Sequence, residues 1–161
     1  MDGPMSAAMS ALVYDDAWLR EILSRVRRIA VVGASADFMR PSHWIMAFLQ
    51  ERGYNVVPVN PKLAGSRVLD ETVYARLADV PPPVDLVDVF RASAAAGECV
   101  NDAIPLRDSH GVRTIWMQTG VRNDGAAARA QAAGFAVVMN RCLKTEIGRL
   151  LGRRSVGVES S

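Results

Sequence analysis

No apolar run in this 161-residue sequence approaches the ~18–20 residues that a membrane-spanning helix needs. An early Lys/Arg cluster is also missing, and Asp2 stands where a secretory signal would carry positive charge, which argues against such a signal. Cysteine is scarce: Cys99 and Cys142 stand alone, with no CxxC pair. That excludes a disulfide scaffold and implies reduced thiols in a cytoplasmic protein. The two histidines, His43 and His110, lack metal-ligand spacing, so no zinc site is expected. Neither sign of charge dominates, since 19 Lys and Arg against 17 Asp and Glu leave a net +2. Such a balance offers no strong field for nucleic acid, but it leaves room for a local cationic pocket around a phosphorylated small molecule. The basic clusters Arg25, Arg27, Arg28 and Arg149, Arg153, Arg154 read as helix-end and tail charges. No nucleic-acid partner and no membrane partner is expected.

What is present is an ordinary globular composition, 50% apolar and 22% charged, in a length that suits one domain. Residues 1–13 read as a flexible leader, 14–152 as the domain and 153–161 as a polar tail. Strand and helix patterns alternate throughout. Asp15 or Asp16 is placed to cap a first helix that carries Trp18, Leu19, Ile22, Leu23 and Val26 at helical spacing and ends at Arg27-Arg28. Ile29–Val32 is a continuous apolar run, as a strand buried on both faces requires. Ser42 is the expected cap of a second helix, with Gly53 as its stop. The second strand, 55–59, contains Pro58, which removes a ladder donor, so the strand is expected to bend, end early or lie toward an edge. A short helix is expected over 72–77. Strands at 84–90, 114–118 and 135–139 alternate with helices at 93–106, 124–133 and 143–151. The expected fold is α/β, a Rossmann-like three-layer sandwich with a mostly parallel five-stranded sheet.

Open sheets of this kind bind ligands beyond the carboxyl ends of their strands, where strand order reverses. The informative residues therefore follow each strand. After the first come Gly33, Ala34 and Ser35. Gly33 permits a tight turn and close backbone approach, Ser35 adds a hydroxyl, and the next helix offers unpaired N–H groups to an anion. The loop either binds phosphate or only reverses the chain, and its spacing favours phosphate. It is not the dinucleotide fingerprint, because Ser35 and Phe38 occupy positions where that pattern has glycine. The second strand ends in Asn60-Pro61-Lys62, where NAD binding calls for an acid, and a cation there favours a phosphate on the adenosine ribose. Arg40, Lys62, Arg91 and Arg141 all fall in the expected rim loops; any one of them taken alone reads as a solvated surface charge, but four on one rim favour contacts to phosphate. Phe90 and Trp116 read as core or crevice wall. Cys142 reads as a packed thiol, and His43 as a helix-surface residue. Asp85 and Asp88 face opposite sides of a strand and form no acid/base pair. No GxSxG elbow, P-loop or HExxH occurs.

Five segments together carry a resemblance: IAVVGAS (29–35) followed by Arg40-Pro41-Ser42, GYNVVPVNPKLAG (53–65), VDLVDVFR (84–91), IWMQTGV (115–121) and AGFAVVMNRCLKTE (133–146). Through them the chain resembles the stand-alone CoA-binding domain proteins, which are similar to the N-terminal domain of the succinyl-CoA synthetase alpha subunit. The resemblance implies coenzyme A held across the strand ends. By that analogy Gly33, Ala34, Ser35, Arg40 and Pro41 contact the phosphate region, and Val59, Asn60, Pro61 and Lys62 line the nucleotide side. Phe90, Arg91, Gln118, Gly120 and Arg141 complete the crevice. Asn140 replaces an Asp that family members often carry. The phosphohistidine and nucleotide-grasp domains of the synthetases lie outside the resemblance. The implied function is therefore binding of CoA or an acyl-CoA, to buffer, carry or sense it, without a complete catalytic apparatus. Two alternatives stand beside it. One is a subunit of a split NDP-forming acyl-CoA synthetase, working with an ATP-grasp partner. The other is an NAD(H)-binding oxidoreductase or redox-sensing module.

Overall fold

Ile29 and Val31 alternate with Ala30 and Val32, and the two pairs enter different cores on opposite faces of one sheet. That alternation follows from the two-residue period of a strand and makes β1 (Arg28–Val32) a central strand. The structure, a computed structural model, describes residues 12–152. The expected leader lies almost wholly, and the expected tail wholly, outside the described residues.

β1 pairs in parallel with β2 (Asn55–Val59) on one side and with β5 (Leu86–Val89) on the other. β6 (Thr114–Met117) and β7 (Ala136–Val138) extend the sheet in the order β2-β1-β5-β6-β7, every pair parallel. The chain first builds outward from β1 to β2, then returns across β1 to β5 and builds the other way. Strand order therefore reverses between β1 and β5. Pro58 sits in β2, an edge strand, as its missing N–H requires.

Helices cover both faces. α1 (Asp16–Arg25), α2 (Pro41–Glu51) and α6 (Leu143–Leu151) bury Leu19, Leu23, Ile45, Met46, Leu49, Leu143 and Ile147 against Ile29, Val31 and Trp116. α3 (Ala96–Ala103), α4 (Leu106–Ser109) and α5 (Asp124–Ala132) pack small residues, among them Ala126, Ala127 and Ala130, onto Val87, Val89 and Ile115. Among the described residues no helix is long and apolar enough to cross a membrane.

Several local expectations are corrected. α1 stops at Arg25, because the N–H groups of Arg27 and Arg28 donate to the Asp85 carboxylate at 2.9 and 2.8 Å and draw the chain into β1. The cap of α2 is Arg40 rather than Ser42: Pro41 takes the first helical position, where its fixed φ and missing N–H cost nothing, and this moves the boundary back by two residues. The single helix expected over 93–106 divides into a 3₁₀ turn at Ser93–Ala95, α3 and α4. No helix forms over 72–77. Instead β3 (Arg67–Val68) and β4 (Glu71–Thr72) make a small antiparallel hairpin. The chain then runs extended beside β2, with Tyr74 accepting from Asn60 at 2.9 Å and donating to Pro58 at 3.1 Å. Val73 is buried and Tyr74 bridges to Val59, so the segment covers the open edge of β2. A 3₁₀ turn at Leu77–Asp79 follows.

Candidate functional site

The carboxyl ends of β1, β2 and β5 converge on Gly33. Its φ is +91°, a conformation that suits glycine. A Cβ there would lie 2.2 Å from the Phe90 carbonyl oxygen. The Gly33 and Ala34 N–H groups both point to the Val59 carbonyl, at 2.9 and 3.4 Å. Contacts to an anion would therefore come from N–H groups beyond them and from side chains. Asn60 locks the two loops together: its Nδ2 donates to the Ala34 carbonyl at 2.8 Å and its Oδ1 accepts from the Lys62 N–H at 2.9 Å. The Ser35 hydroxyl accepts from the Asp37 N–H at 3.0 Å, and His43 Nδ1 lies 3.0 Å from the Ser35 carbonyl oxygen. His43 thus fastens the loop from the first turn of α2.

Two cavities meet at this point. The first, about 480 Å³, lies on the α3 side of the sheet edge, with Lys62, Arg76, Arg91, Glu98, Cys99 and Asp102 among its lining. The second, about 470 Å³, lies on the α2 side and is lined by Ala34, Ser35, Asp37, Arg40, Pro41 and Leu63, among others. Gly33, Asn60, Lys62 and Phe90 belong to both. Each lobe falls in the size range of a small-molecule site. Together they form a saddle, with the backbone of Gly33 at its crest.

Eleven of the fourteen expected site residues line this saddle: Gly33, Ala34, Ser35, Arg40, Pro41, Val59, Asn60, Pro61, Lys62, Phe90 and Arg91. The other three stand elsewhere. Gln118 is buried and donates from Nε2 to both Asp88 oxygens, at 2.9 and 3.1 Å. Gly120 donates its N–H to Asn140 Oδ1 at 2.7 Å. Arg141 lies over the Tyr14 ring, 5.3 Å from its centroid, and donates to the Leu12 carbonyl. Asn140 has φ +56° and ties the loops after β6 and β7 together, an acceptor role that an Asp at this position fills equally well.

The residues not foreseen are Arg76 and the α3 group Glu98, Cys99 and Asp102. Arg76 reaches the first lobe because the segment after β4 runs extended along β2. Its guanidinium is exposed and pairs with Asp79 at 3.2 Å. Glu98 and Asp102 are four apart on α3, which puts them on one face. Burial pushes the Cys99 thiol up to about 11, although Arg91 nearby acts in the opposite direction. Asp88, wholly buried on the face that carries Leu86, is pushed up to about 8 by its removal from water, and the Gln118 hydrogen bond only partly offsets this. The thiol and this carboxyl are therefore both protonated near pH 7.

Comparison with known proteins bears on this saddle. The family model described as a CoA binding domain matches residues 27–148. Uncharacterized protein YneT of Bacillus subtilis is 33% identical over 130 residues, 78% of this chain and 89% of its own. A hypothetical protein from Pyrococcus horikoshii superposes with a TM-score of 0.80 at 38% identity, covering 88% of this chain and 95% of that one. The dinucleotide-forming acetyl-coenzyme A synthetase 1 of Ca. Korarchaeum cryptofilum matches with a TM-score of 0.59 at 24% identity, over 73% of this chain and 26% of that enzyme. That last likeness concerns the fold alone.

Proposed function

The chain belongs to the CoA-binding domain family, and on that premise we propose that it binds coenzyme A, or an acyl-CoA, across the saddle, without a complete catalytic apparatus of its own. The observation that carries this reading is the junction of two lobes over a glycine whose side-chain position the Phe90 carbonyl already fills. A long, bent ligand with a diphosphate at its middle suits such a shape. The diphosphate lies over Gly33, with Arg40 and the start of α2 on one side. The 3′-phosphoadenosine occupies the first lobe, where Lys62, Arg76 and Arg91 supply positive charge. Glu98 and Asp102 accept from its adenine amine and ribose hydroxyls. Residues 14–152 act as the binding unit, and Gln118, Gly120 and Arg141 support the loops behind the rim. Both cysteines are free, which fits a reducing compartment such as the cytoplasm.

Calorimetric titration with CoA and with dephospho-CoA tests the reading. CoA is expected to bind at a single site and more tightly than its dephospho form. Equal affinities would remove the role given to the cations of the first lobe.

The fold-level likeness to one quarter of an acetyl-CoA synthetase supports a second reading, in which the chain works with an ATP-grasp partner. Co-expression with such a partner should then yield acyl-CoA from ATP, acid and CoA. The NAD(H) alternative predicts tight NADH binding in a fluorescence titration. The Asn60-Pro61-Lys62 end of β2 argues against it, because a cation stands there in place of the acid of the dinucleotide pattern.

A further inference from the structure

Four large apolar side chains are prominently exposed among the described residues: Val13, Phe38, Met39 and Trp44. Three of them fall within seven residues, on the loop between β1 and α2 and the first turn of that helix. Phe38 and Met39 are 69% and 65% exposed, and Trp44 is 52% exposed. The loop does not need the Phe38 and Met39 side chains for its shape, and it uses only the indole N–H of Trp44. Its backbone is held by polar contacts: Asp37 N–H to Ser35 Oγ, Met39 N–H to Asp37 Oδ1 at 2.9 Å, Arg40 N–H to the Asp37 carbonyl, and Trp44 Nε1–H to the Phe38 carbonyl. Exposing three large apolar groups side by side is unfavourable, and such a patch beside a polar rim marks a contact surface.

The patch adjoins the site. Ala36, Asp37 and Arg40 of the same loop line the second lobe, so Phe38 and Met39 sit in sequence between two of its wall residues while standing outside its lining. We propose that Phe38, Met39 and Trp44 seat the acyl chain of an acyl-CoA, so that the preferred ligand is a thioester rather than free CoA. This rests on the reading of the saddle as a CoA site and deepens it. With the 3′-phosphoadenosine in the first lobe and the diphosphate over Gly33, the pantetheine arm runs through the second lobe past Ala34, Ala36, Pro41 and Leu63. Its thioester then emerges at Phe38.

Size favours this occupant over a protein. At ~150–250 Å² per large side chain, the exposed part of the three amounts to about 400 Å². A stable protein interface takes ~800 Å² from each partner. The patch is about half of that, yet it is ample for a chain of several methylenes.

The test is a calorimetric series on the full chain with CoA, acetyl-CoA and hexanoyl-CoA. Hexanoyl-CoA should bind about tenfold more tightly than acetyl-CoA. That is below the ~200-fold that complete burial of four methylenes would give, because the seat is open on one side. A Phe38→Ser, Met39→Ser double variant should lower hexanoyl-CoA binding to the acetyl-CoA level and leave CoA binding unchanged. The wild-type series decides the matter even if that variant fails to fold. Equal affinity for all three ligands overturns the acyl seat and leaves the CoA reading standing. Absence of binding by any of them overturns both. A wild-type dimer in sedimentation that the double variant dissolves assigns the patch to a second copy and overturns the proposal.

Discussion

Gly33 and Phe90 are held so close that a Cβ on the glycine would stand 2.2 Å from the Phe90 carbonyl oxygen. The contact is made by neighbouring strand ends: the Phe90 N–H donates to the Val32 carbonyl at 2.8 Å, one residue before Gly33. Both lobes of the saddle share these two residues. Packing of the strand ends thus requires a glycine at the fold's point of strand-order reversal.

Gly33→Ala is expected to destabilise the protein by more than about 2 kcal/mol. The left-handed backbone alone costs ~1–2 kcal/mol for an L side chain, and the clash with the carbonyl of Phe90, a residue tied to Val32 through its N–H, adds to it. Urea unfolding should show a lower midpoint with an unchanged slope.

Lys62→Gln should weaken CoA binding by about fivefold and leave dephospho-CoA binding nearly unchanged. Lys62 is exposed, so its contribution is that of a solvated ion pair, ~1 kcal/mol. Calorimetry on the two ligands, repeated at higher salt, should show the difference between them shrink.

Asp88→Asn tests the buried carboxyl. The native state holds this proton up to about pH 8, whereas an unfolded Asp releases it near pH 4. Between these values the folded form binds more protons than the unfolded form, so Asp88 makes stability fall as pH rises. Above pH 8 its contribution is flat. Denaturation midpoints at pH 5, 6.5 and 8 should decline in the wild type. The Asn variant, neutral throughout and still a partner for Gln118, should remove that decline and be the more stable protein at pH 8.

Cys99 should resist alkylation. Its thiol is buried in the first lobe and stays protonated up to about pH 11. In a Cys142→Ser variant, iodoacetamide at pH 7.5 should label the protein slowly, and rapidly once denaturant is added. Fast labelling of the native protein would mean that the lobe opens further than its walls suggest.

The sequence made the sheet legible because parallel strands buried on both faces need continuous apolar runs, and four such runs, with a fifth at 84–90 broken by Asp85 and Asp88, stand between helical patterns. Pro58, through its missing donor, left an edge position open as one of three outcomes for the second strand, and β2 takes it. The strand-end loops, and nine of the residues that line the saddle, followed from the rule that ligands gather at the carboxyl ends, while Pro41 and Val59 came only from the family resemblance. The segment between β3 and β5 was not legible. Val73 and Tyr74 are fixed by pairing with the edge of β2, a non-local contact without a periodic signal, and Arg76 was missed with them. The helical pattern across 93–106 was visible, but not the rotation of α3 that turns Glu98 and Asp102 toward the first lobe. Arg141 was placed correctly after β7. Its direction depends on Tyr14 and Leu12, which reach it from the other end of the chain.

Amide chemical shifts recorded during a CoA titration test the saddle most directly. The account predicts saturable changes concentrated in residues 33–42, 59–63, 74–77 and 90–102, with the largest around Gly33. No change at millimolar CoA, or changes clustered at the opposite end of the sheet around Trp18, Arg113 and Gly134, where a separate cavity of about 520 Å³ lies, would contradict it.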